Sequence, residues 1–295
     1  MSVPMAYIGV IIIWSTTPLA LTWSSEDVGF VFGVTSRMVI GALLALIVAA
    51  LLGSGMQWKR RAIHAYVASG LGIYGAMLSV YWAAQYIPSG WISLLFGLSP
   101  LFTAIMAYFW LDGEALTRSK LAGMFMGLAG LAVVFSSSLS INTHAALGVA
   151  GVLLSGLIHS ASAVWVKRIN AQLPAIVLTS GGLAVAAPLF LITWLFTQES
   201  LPVEMSDRTT VAIVYLALFG SVLGFALYYY VLRHVDATRV SLIALMSPVF
   251  ALALGNMLNG EPLTTEILFG TALILSGLAL FELGGQVERI RARFR

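Results

Sequence analysis

The stretch Leu111-Asp-Gly-Glu-Ala-Leu-Thr117 returns as Leu258-Asn-Gly-Glu-Pro-Leu-Thr264, and the expected architecture follows from that recurrence. Ser99-Pro100, ahead of the first copy, matches Ser247-Pro248 ahead of the second at nearly the same offset. Behind the copies, Gly123 and Gly130 match Gly270 and Gly277. A match sustained over roughly 60 residues marks an internal duplication rather than a chance alignment of apolar runs. What the duplication means depends on how many helices each copy holds.

The chain of 295 residues is 60% apolar and 9% charged, with mean hydropathy +0.96. Soluble domains carry about 25% charged residues, so lipid is the main solvent here. A bilayer-crossing helix takes about 20 apolar residues, which leaves room for about ten crossings and no soluble domain. Apolar runs bounded by Gly, Pro and charge place spans near 3–23, 30–53, 63–86, 88–111 and 119–137. A second set lies near 146–166, 174–197, 209–232, 237–259 and 264–285. The first run has no basic residue ahead of it and no small-residue cleavage site behind it, so it reads as a retained helix. With no cysteine in the chain, there is neither a disulfide framework nor thiolate chemistry, and redox usage says nothing about compartment.

Charge sorts by side. Apart from Arg37 and Arg208, every Lys and Arg falls on alternate connections or the C-terminal tail, and these are expected to be cytoplasmic. Glu26, Asp27, Glu199, Glu204, Asp207, Glu261 and Glu266 fall on the others. The net charge of +3 therefore reports orientation and lipid contact rather than a nucleic-acid partner. The expected fold is all-α and integral to the membrane, with ten transmembrane helices and both termini cytoplasmic. Its repeats cover residues 1–139 and 146–295, five helices each. Because five is odd, the second copy enters the membrane from the opposite side. Such an inverted repeat is the geometry of alternating access. The competing reading is a duplicated scaffold with no transport role.

On these residues the chain resembles the drug/metabolite transporter superfamily, specifically its EamA-type carriers with two tandem domains. The resemblance covers nearly the whole chain. It rests on Trp14-Ser15, Arg37, Ser-Pro-Leu-Phe at 99–102 and Gly-Glu at 113–114, together with Ser-Pro-Val-Phe at 247–250 and Gly-Glu at 260–261. It implies a ten-helix carrier of small metabolites, usually an exporter of the bacterial inner membrane. The tyrosine- and tryptophan-rich third, sixth and eighth helices look like YddG-type aromatic amino-acid exporters.

Aromatic residues at span ends, here Trp23, Trp58, Trp110 and Trp194, read as interface anchors. Others lie deeper. Tyr74 and Tyr81 are seven apart on the third span with Gln85 four further on, which aligns them along one face. Tyr229 occupies the repeat position of Tyr81, and Tyr230 that of Trp82. Trp14, His159 and Trp165 sit on the helices that open each half. The expected substrate site is therefore Trp14, Tyr74, Tyr81, Trp82, Gln85, His159, Trp165 and Tyr229, forming a box of rings for a planar apolar group. Helix packing with hydroxyls bonded to neighbouring carbonyls is the alternative. Pro100 and Pro248 remove helical hydrogen bonds at equivalent points and are the expected hinges. Arg37 is the one Lys or Arg at depth, able to snorkel, to cap a helix or to attract a carboxylate. His159 is a substrate contact, a proton carrier or a structural histidine. Gly-Glu at 113–114 and 260–261 reads as a cap for the helix that follows.

The leading functional expectation is export of aromatic amino acids and similar small amphiphiles through a mid-membrane cavity, with no cofactor or metal. Its partners are the small-molecule substrate and the bilayer, and the carrier acts as a monomer. Efflux of aromatic or quaternary ammonium cations is the alternative within transport. An intramembrane enzyme is disfavoured, since neither a Gly-x-Ser-x-Gly elbow nor a His-Glu-x-x-His motif occurs.

Overall fold

Ser2 starts the first helix, α1 (Val3–Trp23), its hydroxyl accepting the Met5 N–H at 3.4 Å, and Pro4 sits in the opening turn, where its missing donor costs nothing. The computed structural model describes residues 2–111, 118–141, 144–197, 202, 204–236, 240 and 243–293. Side chains are described for all of these except 135–141, 244–246 and 282–293. Glu114, Glu199, Arg239 and Arg295 lie outside the described residues, as does the side chain of Glu282. Among the described residues there are helices and no strands.

After α1 come α2 (Phe30–Leu51), α3 (Arg60–Ala83), α4 (Ser89–Phe96), α5 (Ser99–Trp110) and α6 (Arg118–Ile141). Then follow α7 (Ala145–Ile169), α8 (Ala175–Thr197), α9 (Asp207–Tyr215), a π-helical segment (Leu216–Leu223), α10 (Gly224–His234), α11 (Ile243–Asn259) and α12 (Thr265–Arg293). Seven helical segments among the described residues are long and apolar enough to cross a membrane, with α4 and α5 counted as one and α9 through α10 as another. The remaining expected spans coincide with α6, α11 and α12. Bulky apolar side chains point outward, among them Phe109 at 74% exposed, Phe125 at 71% and Phe196 at 83%, the surface of a protein whose solvent is hydrocarbon.

Two irregularities face the centre. Pro100 has no N–H to give the Phe96 carbonyl, and the Ser99 hydroxyl donates to it instead. The chain tightens there into i→i+3 bonds, Leu98 N–H to Leu95 at 3.1 Å and Leu101 N–H to Leu98 at 3.0 Å, which separates α4 from α5. Pro248, the repeat counterpart, lies inside α11. The second irregularity is the π-helical segment, which the apolar run at 209–232 did not foreshadow.

Lipid offers no hydrophobic drive between helices, so the bundle closes through small residues and hydroxyl bonds. Ser155 donates to the Ala76 carbonyl at 2.7 Å, Ser162 to Ala68 at 2.9 Å, and Ser180 to Ala45 at 2.8 Å. The most extensive seam joins α6 to α12. A Cβ on Gly123 would stand 2.3 Å from the Gly277 carbonyl oxygen, and one on Gly130 would stand 2.7 Å from that of Gly270. Gly123 is the repeat counterpart of Gly270, and Gly130 of Gly277, so the contacts are crossed. Each glycine meets the counterpart of the other.

Candidate functional site

The helices converge on a cavity of about 680 Å³, including its open part, within the size range of small-molecule sites. Its wall is drawn from both halves: Trp14, Pro18 and Leu21 of α1, Arg37 of α2, Met77 and Val80 of α3, Ile92, Ser93 and Phe96 of α4, His159 of α7, Gly220 of the π segment, Phe225 of α10 and Ser247 of α11. The second halves of α1 and α3 and the first half of α2 contribute, so the cavity lies toward the end bearing the acidic connections.

Rings close it below. His159 has Trp14 at 5.7 Å, Phe96 at 5.4 Å and Tyr228 at 5.1 Å between centroids, and Trp14 and Tyr228 lie 5.1 Å apart. His159 has no hydrogen-bond partner among the described residues. Arg37, the one charged residue among the described lining residues, is 2% exposed. Its Nε donates to Ser221 Oγ at 2.9 Å and its Nη1 to Tyr81 Oη at 3.5 Å, while Tyr81 and Ser24 hydroxyls lie 3.3 Å apart. Nη2 lies against Gly220, where an added Cβ would be 2.9 Å from it. The π segment presents Gly220 and Ser221 to Arg37 together, so the backbone irregularity and the buried charge form one feature. Among the described residues no carboxylate pairs with Arg37.

Of the residues grouped by sequence spacing, the fold brings Trp14, His159 and Arg37 to the cavity and Tyr81 behind Arg37. It separates the others. Tyr74 bonds Thr193 at 2.7 Å and packs on Phe190 at 4.9 Å, facing α8. Trp82 lines a crevice of about 830 Å³ with Phe30, Leu154 and Thr197. Exposed Gln85 donates to its neighbour's carbonyl, Trp82, at 3.1 Å, and Trp165 is 42% exposed. Tyr229 bonds Ser69 at 2.7 Å and lines a separate cavity of about 500 Å³ with Lys167 and Arg233. Polarity on α3 marks its packed face and not the face it turns to the cavity. That face carries Met77 and Val80, while the tyrosine face turns to α2 and α8. Phe225 and Tyr228 were missed, although the offset that equates Tyr229 with Tyr81 also equates them with Met77 and Val80. Phe96, Ser93 and Gly220 had no sequence signal of their own.

At the acidic-loop end, ties join the two halves. The Glu261 carboxylate accepts the Ser89 and Gly90 N–H groups, each at 3.0 Å, and so caps α4. The sequence expectation was a cap on the helix that follows Glu261; the carboxylate instead reaches across to α4, whose first N–H groups lack helical partners. Arg208 pairs with Glu26 and stands 5.6 Å from the centre of the Trp23 ring. The Ser206 and Thr209 hydroxyls and the Ser206 N–H donate to Asp27 and hold its carboxyl below the usual value of 3.8. A depressed carboxylate pKa stabilises the fold above that usual value, and the contribution is lost as pH falls through the folded-state pKa. Asp27→Asn is thus expected to lower the melting temperature of the solubilised protein at neutral pH. The gap to wild type should close as pH drops below 3.8. A gap that persists unchanged in acid would mean the charge is irrelevant.

Among the described residues no group of three or more His, Asp or Glu is placed to hold a metal ion. The model of the EamA-like transporter family matches residues 2–136 and again 146–283. A transporter of Archaeoglobus fulgidus is 29% identical over 81% of this chain and 83% of its own length. A protein of Salmonella typhimurium, named "Probable amino-acid metabolite efflux pump", is 27% identical over 73% of this chain and 75% of its own. A solved crystal structure 22% identical in sequence shares the fold with TM-score 0.73, over 97% of this chain and 99% of that one.

Proposed function

The chain belongs to the EamA-like transporter family, and from that premise we propose that it exports aromatic amino acids and similar small amphiphilic metabolites across the inner membrane by alternating access. The observation that carries this reading is the cavity itself: ring-floored, walled by both halves, and charged among its described lining residues only at Arg37. Rings accept a planar side chain through offset and edge contacts, and a guanidinium attracts a carboxylate. An organic cation would meet the same rings but also an uncompensated like charge, which disfavours the cation-efflux alternative. The name of the Salmonella relative points the same way.

In this reading the bundle crosses the membrane ten times as two inverted five-helix repeats, 1–139 and 146–295, with both termini cytoplasmic and the monomer as the working unit. The crossed glycine contacts of α6 and α12 support it, since a dyad relating two segments makes each residue meet the counterpart of its partner's. The acidic-loop ties, Glu261 to α4 and Asp27 to Ser206, then close the outer side. Opening outward breaks them, and the α4–α5 break and the π segment absorb the backbone change beside the substrate.

Purified carrier in liposomes loaded with phenylalanine or tryptophan should show saturable counterflow. Flux of quaternary ammonium dyes with none of either amino acid would discard the proposal. Trp14→Ala is expected to reduce counterflow at least tenfold, a loss of about 1.4 kcal/mol, whereas Trp165→Ala, at the lipid-facing surface, should leave it near wild type. The reverse ranking would place the substrate elsewhere.

A further inference from the structure

Two unpaired polar positions lie in the cavity about one helical turn apart. At the upper one, Arg37 has Nε and Nη1 tied to Ser221 and Tyr81, while Nη2 rests against Gly220 with no hydrogen-bond partner among the described residues. At the lower one, His159 is surrounded by the rings of Trp14, Phe96 and Tyr228, and neither His159 nor Trp14 Nε1 has a hydrogen-bond partner among the described residues. Trp14 Nε1 lies close to Gly224, 3.4 Å from where a Cβ would stand. Gly220 and Gly224 are four residues apart on one continuous helical stretch, so the two ends meet it about one turn apart.

Arg37 is buried, whereas Trp14 and His159 are partly exposed to the cavity, so a ligand that pairs their nitrogens takes the place of water there.

Resting on the transport reading above, we infer that the cavity selects a two-ended substrate: a carboxylate on Arg37 Nη2, and at the far end a ring that itself forms hydrogen bonds, either a phenol that accepts from Trp14 Nε1 and bonds His159 or an indole whose N–H donates to His159. A bare phenyl ring reaches the same floor but leaves the imidazole and indole nitrogens unpaired. Sites built to bond a substrate O–H or N–H reject analogues that lack it far more strongly than apolar pockets reject a missing methylene.

The test is competition for tritiated tryptophan binding on the purified full-length carrier by tyrosine, phenylalanine and tyramine. Tyrosine is expected to compete at least tenfold better than phenylalanine, and tyramine, which lacks the carboxylate, at least tenfold worse than tyrosine. In His159→Phe the tyrosine-to-phenylalanine ratio should fall toward one, while Trp165→Ala, outside the cavity, keeps the wild-type ratio. These comparisons between ligands on wild-type protein stand even if the His159 variant fails to fold. Equal competition by tyrosine and phenylalanine overturns the hydrogen-bonding floor, and tyramine as potent as tyrosine overturns the carboxylate end. Either result leaves aromatic amino-acid transport standing. Saturable phenylalanine counterflow with no tryptophan or tyrosine binding also overturns the inference, whereas absence of binding and counterflow for all three amino acids overturns the transport reading with it.

Discussion

Gly123→Val and Gly277→Val are each expected to abolish the folded carrier or to lower its stability by about 3 kcal/mol. At position 123 even the first added carbon would stand 2.3 Å from the Gly277 carbonyl oxygen and 2.8 Å from the Phe281 backbone nitrogen. At position 277 it would stand 2.7 Å from the Gly123 carbonyl oxygen and 2.8 Å from the Gly127 nitrogen. These are backbone atoms, so no rotamer change relieves the clash, and the helices must move apart. In lipid, separation forfeits dispersion contacts that hydrocarbon replaces only in part. The crossed pairing makes the prediction sharper than a generic core clash: Gly130→Val and Gly270→Val should form a second matched pair, since each opposes the other's backbone at 2.7–2.9 Å. Thermal melts of the four variants in detergent decide it. Near-wild-type melting for either member of a pair whose other member is lost would remove the symmetric seam.

The spans were legible because composition states them plainly. Runs of about 20 apolar residues between charged or Gly- and Pro-containing connections recover the bounds of α1, α2, α7 and α8 to within a few residues. The seam of α6 and α12 was also visible, as matched glycines, although spacing alone does not say which pairs with which. The site was only partly legible. Trp14, His159 and Arg37 stand out in the sequence because a large ring or an ionisable group at depth needs a reason. The α3 wall does not, because a binding cavity for an apolar ring is itself apolar, and Met77 and Val80 look like any lipid-facing residues. Hydroxyls at depth, conversely, served the packing: Tyr74 bonds Thr193 and Tyr229 bonds Ser69 across helix pairs. The π segment has no compositional mark in the apolar run that contains it, and its Ser221 accepts from the Arg37 guanidinium.

Arg37→Met should separate stability from function. The guanidinium is 2% exposed, receives two neutral hydrogen-bond partners and lacks a paired carboxylate among the described residues. Burying an ion without a counter-charge costs several kcal/mol, and apolar replacements of similar volume are often neutral or stabilising. Methionine fills the same channel beside Gly220, Tyr81 retains Ser24 at 3.3 Å, and Ser221 keeps only a weak contact to Met38 sulfur at 3.9 Å. The variant is therefore expected to melt at or above the wild-type temperature. Transport of aromatic amino acids should nevertheless fall at least about 30-fold, equivalent to about 2 kcal/mol, because the carboxylate loses its one charged contact. Tyr81→Phe removes one of the two tethers that aim the guanidinium and leaves its charge, so the loss there should be nearer fivefold, about 1 kcal/mol. Melting temperature and initial counterflow rate on the same preparations distinguish the roles. If Arg37→Met unfolds the carrier, the arginine is a structural strut. If the variant folds and transports at the wild-type rate, the substrate is anchored by something other than this charge.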